Sequence, residues 1–226
     1  MSELHPTGTV PDPRWARFRL VAVFAVLMVS IGSWWLCSNG MENTQVASME
    51  ISVLSMKELY PQALSIAREW NPNAFLSRAS FSIQGSFSTI RPRATFTFWG
   101  SSTTSNYGLN VYIRGASPDC EIDTDEAELP PERPLAEPID PDELPFDSGD
   151  ALELILNNGA GDFLRAHPYQ PWPPDLILER SGSYFSEGPL RWRAYFTGED
   201  IHDTEYFMID AYTGEFLGND PSNVDP

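Results

Sequence analysis

The chain has 226 residues, with 14 lysines and arginines against 32 aspartates and glutamates, a formal net charge of -18. A surface of that sign repels phosphate backbones and anionic headgroups, and no basic stripe with interleaved aromatics interrupts it, which argues against DNA or RNA as a partner.

Residues 1–19 carry Arg14, Arg17 and Arg19, and the run Leu20 to Cys37, LVAVFAVLMVSIGSWWLC, then holds no charge. At about 1.5 Å per residue its helix would be roughly 27 Å long, close to the hydrocarbon thickness of a bilayer. The next base is Lys57, so the positive-inside bias keeps 1–19 in the cytoplasm, makes 20–37 a transmembrane helix and sends the rest outside. Competing readings are a cleaved secretory signal ending near Ser38-Asn39-Gly40 and a lipidated Cys37, although Leu36 stands where that cysteine would want a small neighbour.

After a juxtamembrane segment, 38–55, the first folded unit is expected over 56–115. Leu59, Ala63, Ile66, Ala67 and Trp70 form one helical stripe that Pro61 can open and Asn71-Pro72 closes. Three period-two strands follow: ASFSI with Phe81 and Ile83 on one face, RATFTFWG with Ala94, Phe96 and Phe98, and GLNVYIRG with Leu109, Val111 and Ile113. Between Ala116 and Asp150 stand thirteen acids, one base and seven prolines. This composition reads as an extended acidic linker, 116–147, whose functional alternatives are a weak calcium-binding strip or a docking strip for a basic partner. The second unit, 148–217, opens with an Asp147-Ser148 cap before ALELIL, stops at Asn157-Asn158-Gly159, and continues as DLILER, LRWRAYFTG and TEYFMIDAYTGEFLG. The tail 218–226 reads as disordered.

The two units look like copies. Ala63-Leu64 and Phe75-Leu76 recur with one offset as Ala151-Leu152 and Phe163-Leu164, and Arg93 to Gly100 parallels Arg191 to Gly198. The fold class expected is therefore α+β: a transmembrane helix followed by two small units, each a helix on a three-stranded antiparallel sheet. Units of roughly 60 to 80 residues are marginal alone, so they are expected to pack together or to pair with another chain.

Trp192, Ala194 and Phe196, followed by Tyr206 to Leu217 with Asp210-Ala211-Tyr212-Thr213-Gly214-Glu215, resemble the end of a PepSY domain. The signature covers Asp210 to Glu215, and the similarity extends over 148–217; Ile113-Arg114-Gly115 lacks it, so the first unit would be a degenerate copy. The resemblance implies an extracytoplasmic bacterial module that binds or restrains peptidases or other partners, and it does not imply catalysis.

No catalytic, cofactor or metal residue is assigned. His167 and His202 sit in no ligand or nucleophile motif, and G-x-S-x-G, H-E-x-x-H, P-loop and G-x-G-x-x-G patterns are missing from the sequence. Glu199, Asp200 and Asp203 crowd His202, but a solvated hairpin loop accounts for them. Cys37 and Cys120 could pair in an oxidising compartment; flexible surroundings favour no structural disulfide. Thr213-Gly214 is a turn pair and Asp210 accepts from nearby amides. The function expected is a membrane-anchored, extracytoplasmic binding or regulatory protein without catalytic activity. Its partner would be a protein or peptide, a peptidase among the candidates, with the membrane engaged through the N-terminal helix, no nucleic acid, and a homo-oligomer left open. Tyr206, Asp210, Tyr212 and Glu215, near the sheet margin, are the candidate contacts. A propeptide-like peptidase inhibitor and an uncharacterised hydrolase are the alternatives.

Overall fold

A computed structural model describes residues 41–46, 49–100, 107–115, 120–128, 137–180, 188–199 and 203–218. The transmembrane segment expected at 20–37 lies outside them, and among the described residues no helix is long and apolar enough to cross a membrane. Strands β1 (Met41–Val46) and β2 (Met49–Leu54) form an antiparallel hairpin. Helix α1 (Met56–Trp70) leads into β3 (Phe75–Ser82), β4 (Arg93–Trp99), β5 (Tyr107–Arg114) and β6 (Glu121–Glu128). Helices α2 (Ser148–Ile155) and α3 (Gly161–Ala166) then precede β7 (Asp175–Arg180), β8 (Leu190–Thr197), β9 (Thr204–Asp210) and β10 (Phe216–Gly218).

The expectation of two units, each with its own three-stranded sheet, is overturned. Strands β3 to β10 form one eight-stranded sheet in the order β10-β9-β8-β7-β3-β4-β5-β6, antiparallel throughout. The halves meet where β3 pairs with β7, from Ala79 opposite Leu178 to Ser82 opposite Asp175. A lone three-stranded unit would leave the amides and carbonyls along one side of β3 without ladder partners; joining the two edges satisfies both rows and merges the cores. The merger is visible in the aromatics, since Phe81 of β3 lies 5.8 Å from Phe96 of β4 and 6.1 Å from Trp192 of β8 between ring centroids.

Strands β3, β4, β5, β7, β8 and β9 put their apolar alternates on the same side. Phe81, Ala94, Phe96, Phe98, Val111, Leu176, Leu178, Trp192, Ala194, Phe196, Phe207 and Ile209 all belong to one buried core. Helix α1 adds Leu59, Ala63 and Ala67 to it, α2 adds Ala151, Leu152 and Ile155, and β2 adds Ile51 and Val53. The helix α1 starts at Met56, upstream of Pro61, because Ser55 caps it by accepting from the Glu58 amide at 3.2 Å and Met56 is buried.

The described residues of the acidic segment expected to be an extended linker, 120–128 and 137–147, are structured. Glu121–Glu128 runs antiparallel to β5 over eight register pairs and forms the sheet edge. The Ile139 amide donates to the Leu76 carbonyl at 2.8 Å, and Ile139 and Leu144 are buried. Nor does the second helical region end at Asn157-Asn158-Gly159: it passes through a wide turn, Leu156–Ala160, in which Gly159 takes φ 115°, and resumes as α3. One consequence concerns the repeated dipeptide, because Phe75-Leu76 opens a strand whereas Phe163-Leu164 lies on α3. That match is not a structural equivalence, while Arg93 to Gly100 and Arg191 to Gly198 do both fall on the second strand of their half.

Candidate functional site

Helices α1, α2 and α3 and strand β2 contribute to the apolar side of the sheet, so the opposite side is built from the other alternates of each strand. From β4, β5, β8 and β9 these are Arg93, Thr95, Tyr112, Tyr195 and Tyr206, all of intermediate exposure. Ile177 and Met208 are buried on this side without belonging to the main core.

The centre of the face is an ionic cluster across the seam between the halves. Glu179 of β7, 1% exposed, receives Arg193 Nη2 at 2.7 Å and Arg78 Nε at 3.3 Å. Arg193 comes from β8 and Arg78 from β3, so one carboxylate ties three neighbouring strands, two from the second half and one from the first. Arg93 Nη2 lies 3.6 Å from Asp175 Oδ2 and adds a second contact across the seam. Burial pushes the Asp175 carboxyl above its ordinary value, with Arg93 and Arg78 pulling the other way. Tyr195 also titrates above its ordinary value, first because burial disfavours the phenolate and then because Asp175 stands nearby. Its ring lies 6.3 Å from that of Tyr206, over which the Arg193 guanidinium sits at 6.0 Å.

The four expected contact residues are not brought to one place. Tyr206 lies within this face, whereas Asp210, Tyr212 and Glu215 belong to the turn between β9 and β10. There Asp210 Oδ1 accepts from the amides of Tyr212 at 2.9 Å and Thr213 at 2.8 Å, and from the Thr213 hydroxyl at 3.1 Å. Gly214, at φ 71°, completes the turn, and the Asp210 amide donates to the Glu215 carbonyl at 2.9 Å. Asp210 is thus committed to holding the hairpin, while Tyr212 stands exposed. Strand β9 is not the sheet edge, since β10 pairs with it at Ile209 and Met208.

His167 caps the end of α3, its ring 4.6 Å from Phe163, and His202 lies outside the described residues. Among the described residues no group of three histidines, cysteines or carboxylates is placed to hold a metal ion. Cys120 is disulfide-bonded, contrary to the sequence expectation. The alternation of LRWRAYFTG puts Arg191, Arg193 and Tyr195 on the side away from Trp192, Ala194 and Phe196, but nothing in the sequence marks Glu179 and Arg78, whose contact depends on the β3–β7 pairing.

No family model and no curated relative matches the chain. Among solved structures it is similar to a Clostridium difficile 630 protein classed as a lipoprotein, at 13% identity and TM-score 0.44 over 71% of this chain and 91% of that one. It is also similar to the tesB protein of Mycobacterium avium subspecies paratuberculosis, at 8% identity and TM-score 0.26 over 77% of this chain and 91% of that one. With scores this low, neither defines a shared fold.

Proposed function

We propose that the protein is an extracytoplasmic binding protein, anchored through 20–37, that presents the face of its sheet opposite the described helices to a protein or peptide partner and works through that surface rather than through a reaction. The observation that carries this reading is that, among the described residues, α1, α2, α3 and strand β2 all pack on the apolar face of the sheet, while the other carries arginine and tyrosine from both halves. Arginine and tyrosine are side chains that binding surfaces favour, and ion pairs hold several of them in place. The extracytoplasmic placement draws on the arginines ahead of Leu20 and on the disulfide at Cys120, a bond that persists in oxidising compartments. The PepSY resemblance of Asp210 to Glu215 supports the same class.

Photocrosslinking in intact producing cells tests the reading, with the reactive residue placed at Thr95 or Tyr195 and, as a control, at exposed Glu69 on α1. A defined protein adduct from the two sheet positions and none from Glu69 is expected. Identical adducts from all three, or reproducible turnover of a peptide, ester or glycoside by the purified protein, would overturn it.

A further inference from the structure

We infer that the loop between α3 and β7 is a docking site for a basic protein segment, with Tyr169 and Trp172 as its contact side chains; this rests on the reading that the protein works by binding and adds where and with what chemistry. The loop, His167-Pro168-Tyr169-Gln170-Pro171-Trp172-Pro173-Pro174, leaves Tyr169 68% and Trp172 58% exposed, more than any other large hydrophobic side chain among the described residues.

Single exposed aromatics are common, but two on a fixed loop are another matter. Gln170 is buried and pins the loop midway, its Oε1 accepting from the Thr197 amide at 2.9 Å and its Nε2 donating to the His167 carbonyl at 3.0 Å. At one end the His167 amide donates to the Phe163 carbonyl at 2.8 Å, and at the other the Pro174 carbonyl accepts from the Ile83 amide at 2.9 Å. Four prolines fix φ between these anchors. The backbone is therefore ordered before any partner arrives, so a partner meets two large aromatic side chains with little ordering left to do.

Charge selects the occupant. The chain carries -18, and Glu199 and Asp203 lie beside the β8 terminus that holds the loop, the Gly198 amide donating to the Asp203 carbonyl at 3.1 Å. The nearby bases are already matched, Arg165 with Asp162 and Arg93 with Asp175. Aromatic faces in an acidic field favour guanidinium and ammonium groups, through cation–π contact at short range and Coulomb attraction at long range.

The test titrates the purified full chain with an oligoarginine peptide, an oligoglutamate peptide of equal length and phosphatidylcholine vesicles. Tyr169→Ala combined with Trp172→Ala leaves net charge unchanged and touches no core residue, so it should fold normally and bind oligoarginine about tenfold more weakly, while Trp172→Phe retains most affinity. Oligoglutamate should not bind. Equal oligoarginine affinity of wild type and the double variant would reduce the effect to net charge and overturn the proposal, leaving the sheet-face reading to its own crosslinking result. Vesicle binding that needs Trp172, without aromatic-dependent oligoarginine binding, would overturn it in favour of a membrane contact.

Discussion

The Ser55 hydroxyl donates to Asp147 Oδ2 at 2.5 Å across 92 residues of sequence, and this contact brings the N-termini of α1 and α2 together. Asp147 Oδ1 accepts from the Lys57 amide at 3.0 Å, so a carboxylate at the start of α2 also caps α1. Ser148 reciprocates: its hydroxyl accepts from the Met56 amide at 2.9 Å and donates to the Leu54 carbonyl at 2.7 Å. Two helix N-termini, each with a partial positive charge, thus converge on one buried anion.

Asp147→Ala should therefore cost more than a single lost cap. It removes acceptors from the Lys57 amide and the buried Ser55 hydroxyl, for a loss of about 3 kcal/mol. Chemical denaturation checks this; a loss below about 1 kcal/mol would mean that water or neighbouring groups replace the carboxylate.

Trp192→Ala should cost about 3 to 5 kcal/mol and should do so in one transition. Trp192 is fully buried and lies against Phe81 of the other half, so the core it leaves open is shared. Fluorescence and circular dichroism transitions that remain coincident would show that the halves unfold together; a transition confined to one half would show that the β3–β7 seam does not couple them.

The strands of each half were legible because burial on one side writes a period of two into the sequence: Ala94, Phe96 and Phe98, or Leu109, Val111 and Ile113, are all buried. The seam was not legible, since β3 and β7 carry no residue that names its neighbour and backbone pairing writes nothing into composition. Strand β6 was hidden for a different reason. At the outer edge of a sheet it has little to bury, and of EIDTDEAE the Ile122 side chain is itself 38% exposed. Its acids still suit that position, because like charge keeps foreign strands from adding to an open edge. The ionic cluster needed the seam first, since Glu179 meets Arg78 only across it.

Oxidised protein should show no reactive thiol at Cys120, because that sulfur is bonded. Alkylation with and without prior reduction, followed by peptide mapping, reads this directly. Labelling of Cys120 without reductant would show the bond to be absent and would remove one support for an oxidising compartment.

Stability should fall at alkaline pH, in a range set by Tyr195 and Tyr60. Both titrate above the ordinary value of 10.0, chiefly because burial disfavours the phenolate; Asp175 adds to this at Tyr195 and Asp140 at Tyr60. A group whose pKa is raised by folding contributes stability that is fully present below the unfolded value and is lost as pH rises through the folded value. Unfolding free energy measured from about pH 9 upward should begin to drop near pH 10. Tyr195→Phe should flatten that drop, and an unchanged profile in the variant would show that Tyr195 ionises as freely as in the unfolded chain.

The sharpest asymmetry is expected at the centre of the face opposite the described helices. Glu179 is 1% exposed and answers two arginines, whereas Arg78 is 35% and Arg193 22% exposed at the side chain. Removing the anion leaves two guanidinium groups facing each other beside apolar Ile177 and Met208, so Glu179→Gln should cost about 3 to 5 kcal/mol. Removing Arg78 leaves Glu179 still held by Arg193 at 2.7 Å, so Arg78→Ala should cost only about 1 kcal/mol. Arg193→Ala should fall between, because the remaining Arg78 contact is longer at 3.3 Å. The order Glu179→Gln, Arg193→Ala, Arg78→Ala in denaturation midpoints, with a coupling term in the Glu179 and Arg193 double-mutant cycle, is the expected result. Equal midpoints for all three would mean that the carboxylate is solvated rather than shared, and that the face is not held in place by its ion pairs.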